Sequence, residues 1–137
     1  LQGSFVAKGL SYGIARNNTS TGIAAYINSN TAGLANGTLS ANTWNVLSQT
    51  YDGSTLRLFQ NDVLSAAISR NVGVTYDTSP LSIGARSGLA LSGDIAEILL
   101  FDRSLTKGER KEVAFYLWQR YGISGSQPVA ELPDILL

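Results

Sequence analysis

Short runs in which Val, Ile, Leu, Tyr and Phe recur are broken along the whole chain by clusters of Gly, Asn, Ser and Thr, the rhythm of short strands joined by tight turns. Ser4 to Lys8 and Tyr12 to Arg16 flank a turn at Gly9 to Ser11 and predict an antiparallel hairpin. After the polar Asn17 to Ser20, residues Thr21 to Asn28 resume strand character, and residues 29–42 hold one weak strand around Gly33 to Leu39. Trp44 to Tyr51 predicts a strand that ends at Asp52-Gly53, where Gly supplies the positive φ of a hairpin turn. Thr55 to Gln60 is its partner. Asn61-Asp62, both tolerant of left-handed backbone, then turn the chain into Val63 to Ser69, so these three strands predict a meander.

Residues 70–79 read as a polar connection, and Pro80 to Arg86 as a strand led by a proline, where a missing N–H matters least. Ser87 to Gly93 reads as a loop. Asp94 to Phe101, apolar on both faces over its second half, predicts a strand in mid-sheet or one covered by the helix that follows. One helix is predicted over about residues 106–121. Thr106 and Glu109 have the spacing of a capping box, Val113, Tyr116, Leu117 and Tyr121 recur at helical intervals, and Gly122 is the stop. Many short strands and one terminal helix predict an all-β antiparallel sandwich of two sheets rather than a βαβ fold.

Length narrows this to a single domain, since 137 residues suffice for one core and not for two ordinary ones. The domain is expected over residues 1–123, with 124–137 as linker and tail: Ser124 to Pro128 reads as a linker, and Val129 to Leu137 as a docked strand or a segment leading elsewhere. The chain starts at Leu1, without Met and already in strand-like sequence, and is expected to be a fragment or processed product. Ten basic and ten acidic residues cancel and are scattered, which leaves no footprint for nucleic acid. The chain has no His, Cys or Met, so imidazole and thiolate chemistry is excluded, and zinc and haem ligation with it. No apolar run approaches the roughly 20 residues that span a bilayer as a helix, so membrane insertion is not expected. The low-charge surface, rich in Ser, Thr, Asn and Gly, leans towards an extracellular or surface location.

Two blocks resemble a known family. One is Trp44-Asn45-Val46-Leu47-Ser48-Gln49-Thr50-Tyr51-Asp52-Gly53 continuing to Leu56-Arg57-Leu58-Phe59-Gln60-Asn61-Asp62-Val63-Leu64; the other runs from Pro80-Leu81-Ser82-Ile83-Gly84 to Gly93-Asp94-Ile95-Ala96-Glu97-Ile98. They are similar to the LamG-like jelly roll of the concanavalin A-like lectin and glucanase folds. The helix, with Leu105-Thr106 and Glu109-Arg110, looks like bacterial members joined to large surface or phage-associated proteins. The resemblance spans residues 5–123 and implies a jelly-roll sandwich, a buried tryptophan at Trp44, and recognition or adhesion of a glycan or surface protein at a cell surface or virion. Two departures stand out: Asp62 where the family usually has Gly, and further strands that similar domains carry before Phe5. The resemblance therefore implies that strands from upstream sequence or a neighbouring chain complete the sheet.

Candidate chemistry is sparse. Family glucanases place several acids along one strand, whereas here only Asp94 and Glu97 stand in that place; at i and i+3 of a regular strand they point to opposite faces and cannot flank one glycosidic bond, so no enzyme is expected. No cofactor is expected beyond calcium, for which Asp52, Asp62 and Asp94 are the candidate oxygen ligands, although no D-x-D-x-D loop is present. Sugar rings stack on aromatics while amides and carboxylates bond their hydroxyls, and Tyr76 with Asp77, Asn71 and Tyr12 is the candidate ligand-binding set. Tyr26, Tyr51 and Trp118 read as core or sheet-surface residues. Three sequons, at Asn17, Asn18 and Asn36, read as turns. Arg103, Lys107, Arg110 and Lys111 read as a solvated basic face beside Asp102, Glu109 and Glu112. The alternative function carried alongside recognition is a structural sandwich that assembles by strand exchange into a filament or shell.

Overall fold

A computed structural model describes residues 2–17, 21–28, 37–39, 42–86 and 88–123. The expected linker and tail, the first half of the weak strand, and the sequons at Asn18 and Asn36 lie outside the described residues. The fold is an antiparallel β-sandwich with one helix. Strands β1 (Gln2–Lys8), β2 (Tyr12–Arg16), β3 (Gly22–Ile27), β4 (Gly37–Thr38) and β8 (Leu81–Ile83) form a sheet in the order β4-β3-β2-β1-β8. Facing it, β5 (Leu47–Tyr51), β6 (Thr55–Gln60) and β7 (Val63–Ser69) form the expected meander. Asn61 and Asp62 take φ of 50° and 60°, the left-handed pair that a two-residue hairpin turn requires.

The core sits where the two sheets meet. Ile14, Ile23, Ala25 and Ile27 of one sheet pack against Leu56 and Leu58 of the other. Alternation along β3 sends Ala24 and Tyr26 to its opposite face, where Tyr26 packs with Ala7 and Ala15, so β3 is buried on both sides. Full burial of each large aliphatic side chain stabilises the fold by roughly 1.5–3 kcal/mol.

Four expectations are corrected by non-local packing. Pro80 to Arg86 is not one strand: Gly84, at φ 71°, divides β8 from β9 (Ala85–Arg86). The loop that follows contains β10 (Leu89–Ala90), which pairs with β9. Trp44 precedes β5 and is 47% exposed rather than buried, because it stands ahead of the ladder at an open cleft and not between the two sheets. Asp94 to Phe101 belongs to no ladder, and Leu99, Leu100 and Phe101 are 41%, 56% and 51% exposed. A strand exists only where a neighbour pairs with it, and this run has none among the described residues.

The helix α1 (Lys107–Tyr121) forms as its sequence dictates. Thr106 caps it and Glu109 completes the capping box, while Gly122 ends it in left-handed conformation at φ 59°. Trp118, 2% exposed, anchors the helix with Leu117 and Tyr121 against Val46 and Ile123. Among the described residues no helix is long and apolar enough to cross a membrane.

Candidate functional site

Between the end of the sandwich and the helix lies an open cleft of about 640 Å³, within the size range of small-ligand sites. One wall is the continuous run Thr43 to Tyr51, which leads into and includes β5, and the other is the run Asp94 to Leu105. Phe5, Tyr12, Ile14 and Ile27 contribute from the five-stranded sheet, and Val113, Ala114, Leu117 and Tyr121 from α1. The lining is mainly apolar. Three aromatics at the cleft are strongly exposed, Trp44 at 47%, Phe101 at 51% and Tyr76 at 74%. Asp94, Glu97, Asp102 and Arg103 add charge, and the buried Gln49 Oε1 has no hydrogen-bond donor among the described residues.

Tyr76 is presented on a connection fastened at both sides. Asn28, at φ 54°, donates from Nδ2 to the Gly73 carbonyl at 2.7 Å and accepts the Thr75 N–H at Oδ1, also at 2.7 Å. Past Tyr76, the Asp77 carboxylate accepts the N–H of Leu10 at 2.8 Å and of Ser79 at 2.9 Å. The Leu10 amide first, then Ser79 and the Lys8 charge, hold Asp77 below its ordinary pKa. Lys8 Nζ donates to the Asp77 carbonyl at 3.2 Å and to the carbonyl of Ser79. Further upstream, the Tyr51 hydroxyl bonds the carbonyls of Arg70 and Val72. Such anchoring lowers the entropy lost when the ring meets a ligand.

Of the four residues expected to bind ligand, Tyr76 and Tyr12 line the cleft. Asp77 and Asn71 are not among its lining residues, and the Asp77 carboxylate holds the loop in place. The candidate calcium ligands are not brought together: among the described residues no group of three or more His, Cys, Asp or Glu is placed to hold a metal. Asp52 closes its own turn, with Oδ1 accepting from Ser54 and Thr55 N–H and Oδ2 bonding Arg57 at 2.6 Å. Arg57 foremost, then Ser54 and Thr55, hold its carboxyl well below the usual range. Asp62 is bonded to Arg110 at 2.7 Å, and Asp94 stands exposed at the cleft.

Glu97 has a different occupation. Its carboxylate accepts from the Tyr121 hydroxyl at 2.8 Å and from the Tyr116 hydroxyl at 3.2 Å, which ties the 94–105 wall to α1. No local signal marks the Asn28 clamp or this tyrosine pair, since both join residues far apart in the chain. Exposure of Trp44 was equally hidden, because burial is a property of neighbours.

A laminin-G family model, described as the concanavalin A-like lectin/glucanases superfamily, matches residues 2–109. No curated protein and no solved structure matches the chain. The matched residues take in both blocks on which the resemblance rested, together with the two cleft walls, residues 43–51 and 94–105.

Proposed function

We propose that this chain, which belongs to the concanavalin A-like lectin/glucanases superfamily, is a non-catalytic recognition and adhesion module, binding a glycan or a protein at a cell or virion surface as part of a larger protein. The domain is residues 1–123, with 124–137 as its linker and tail. The observation that carries the reading is the apolar cleft with Trp44 and Tyr76 exposed at it. Ring faces with polar groups nearby suit both sugar stacking and protein contact.

The superfamily includes glucanases as well as lectins, and the acids weigh against hydrolysis here. Glycoside hydrolysis needs two carboxyl groups across one bond, one of them free to move a proton. Glu97 is held by two tyrosine hydroxyls, an arrangement that supports a structural role. The test is binding to a glycan array and to candidate surface proteins, repeated with Trp44→Ala and Tyr76→Ala. Saturable binding that both substitutions weaken supports the reading; hydrolysis of a bound glycan that Glu97→Gln abolishes overturns it.

A further inference from the structure

Neither Asn61 nor Asp62 lines the cleft, yet both hold residues that do. Asn61 grips the strip that carries Trp44. Its backbone N–H donates to the Val46 carbonyl at 2.8 Å, its Oδ1 accepts the Val46 N–H at 2.9 Å, and its Nδ2 donates to Asn45 Oδ1 at 3.2 Å. Gln60 Nε2 donates to the same Asn45 oxygen at 3.0 Å. Trp44 stands just ahead of these residues and outside the β5 ladder, so the grip on Asn45 and Val46 fixes the backbone from which its ring projects.

Asp62, one residue on, grips the helix side of the cleft. Its Oδ1 accepts from Arg110 Nε at 2.7 Å, and Arg110 lines the cleft from α1 together with Val113, Ala114 and Leu117. Val46 links the two grips, since it also packs on Trp118 and Ile123. The turn itself needs neither side chain. Its residues stand at φ of 50° and 60°, a conformation that Gly adopts at no steric cost. The side chains of Asn61 and Asp62 thus serve contacts beyond the turn, and those contacts lie on two sides of one cleft.

We propose that Asn61 and Asp62 are positioning residues for the cleft: Asn61 holds Trp44 as a ligand meets it, Asp62 holds the helix side, and affinity is set in part from outside the site. The inference rests on reading the cleft as the binding site. A ring held in place beforehand loses less freedom when a ligand arrives. The two grips are made by separate side chains, so substitution separates them. A turn that only stabilised the fold would pass its loss to both sides alike.

The experiment is nitrogen relaxation by NMR on the full 137-residue chain and on its Asn61→Gly and Asp62→Gly variants, both of which keep the left-handed backbone. In Asn61→Gly, the order parameters of the Trp44 and Asn45 amides are expected to fall from about 0.85 to below about 0.6, with the Arg110 Nε–H signal retained. In Asp62→Gly, that signal is expected to be lost to solvent exchange, with the Trp44 and Asn45 amides still at about 0.85. Loosening of both sides in both variants, or of neither side in either, overturns the proposal. Should Asn61→Gly not fold, Asn45→Ala, which removes the acceptor that Gln60 and Asn61 share, takes its place; should Asp62→Gly not fold, the Asn61 arm decides. The same chains are then applied to a glycan array and to a panel of surface proteins, where Asn61→Gly is expected to weaken binding at least about threefold. Binding that Trp44→Ala weakens and Asn61→Gly leaves unchanged overturns the positioning and keeps the recognition reading. The crossed relaxation pattern with no binding to array or panel does the reverse.

Discussion

Arg110 Nε donates to Asp62 Oδ1 at 2.7 Å while the guanidinium carbon of Arg110 stands 3.8 Å from the centroid of the Phe59 ring. The pair joins the first turn of the helix to the β6–β7 turn, across 48 positions of sequence. Both side chains are largely buried, with 13% and 10% of their surface exposed. Asp62 thus does two things: it accepts the left-handed backbone of the turn, and it fixes the helix that follows the cleft wall.

Replacing Asp62 by Gly separates the two roles. Gly suits a φ of 60°, so the turn survives, but Arg110 loses its charged partner. A charge-assisted bond is worth about 1.5–3 kcal/mol, and the unfolding free energy should fall by about that amount. A double-mutant cycle in urea with Arg110→Met, which removes the charge and keeps apolar cover over Phe59, should show coupling between the sites. Additive losses would mean that the contact contributes nothing.

The helix cap predicts a pH dependence. The Arg103 guanidinium, bonded to Glu109 at 2.6 and 2.8 Å, and then the Thr106 N–H and hydroxyl lower the Glu109 pKa from 4.5 to about 2. A carboxyl depressed in the folded state contributes stability above its unfolded pKa and loses it as pH falls through the folded one. The melting temperature should therefore drop as pH falls from about 4.5 towards 2, and Glu109→Gln should flatten part of that drop. Asp52 and Asp77, also depressed, account for the same sign in what remains. Thr106→Ala should cost about 1 kcal/mol at neutral pH. An identical acid profile for Glu109→Gln and the parent chain would refute the assignment.

What the sequence made legible was local. Asp52-Gly53 and Asn61-Asp62 mark the meander turns, and Thr106 with Glu109 marks the helix start, because each signal is satisfied within a few residues. The 94–101 run misled because its apolar residues specify a strand only when a neighbour supplies the ladder. Arg110 misled for the opposite reason: in sequence it joins a basic cluster, and only the fold brings it to Asp62. Of the candidate site, Tyr76 and Tyr12 could be seen from residue type and setting, while Trp44 and the Asn28 clamp depend on distant contacts.

Gly13 tests the packing of the hairpin behind the cleft. A Cβ there would stand 2.6 Å from the Val6 carbonyl oxygen and 2.7 Å from the Tyr26 hydroxyl, inside any tolerable contact. Gly13→Ala should cost about 1–3 kcal/mol by overpacking. Gly73→Ala, where a Cβ meets nothing within 4 Å, should change stability far less. Equal melting temperatures for the two variants would show that the sheet yields at Gly13.

Asn28→Ala separates presentation from contact. The substitution removes both bonds that hold the connection before Tyr76, without touching the ring. Ligand affinity should fall by about tenfold, the equivalent of 1.4 kcal/mol. Tyr76→Ala should weaken binding while leaving the melt nearly unchanged, since the ring is 74% exposed. Calorimetric titration with a ligand identified by array binding checks both; unchanged affinity in Asn28→Ala would mean that the loop needs no clamp.

The chain has two tryptophans, and the fold gives them opposite surroundings: Trp118, on the buried face of α1, is 2% exposed and Trp44 is 47% exposed at the cleft. The protein therefore carries its own pair of optical reporters. Blue-shifted emission shielded from iodide belongs to Trp118 and follows helix docking, whereas the red-shifted, quenchable component belongs to Trp44 and follows occupation of the cleft. With one of the two replaced by Phe, a single titration curve would report on either event without an added dye.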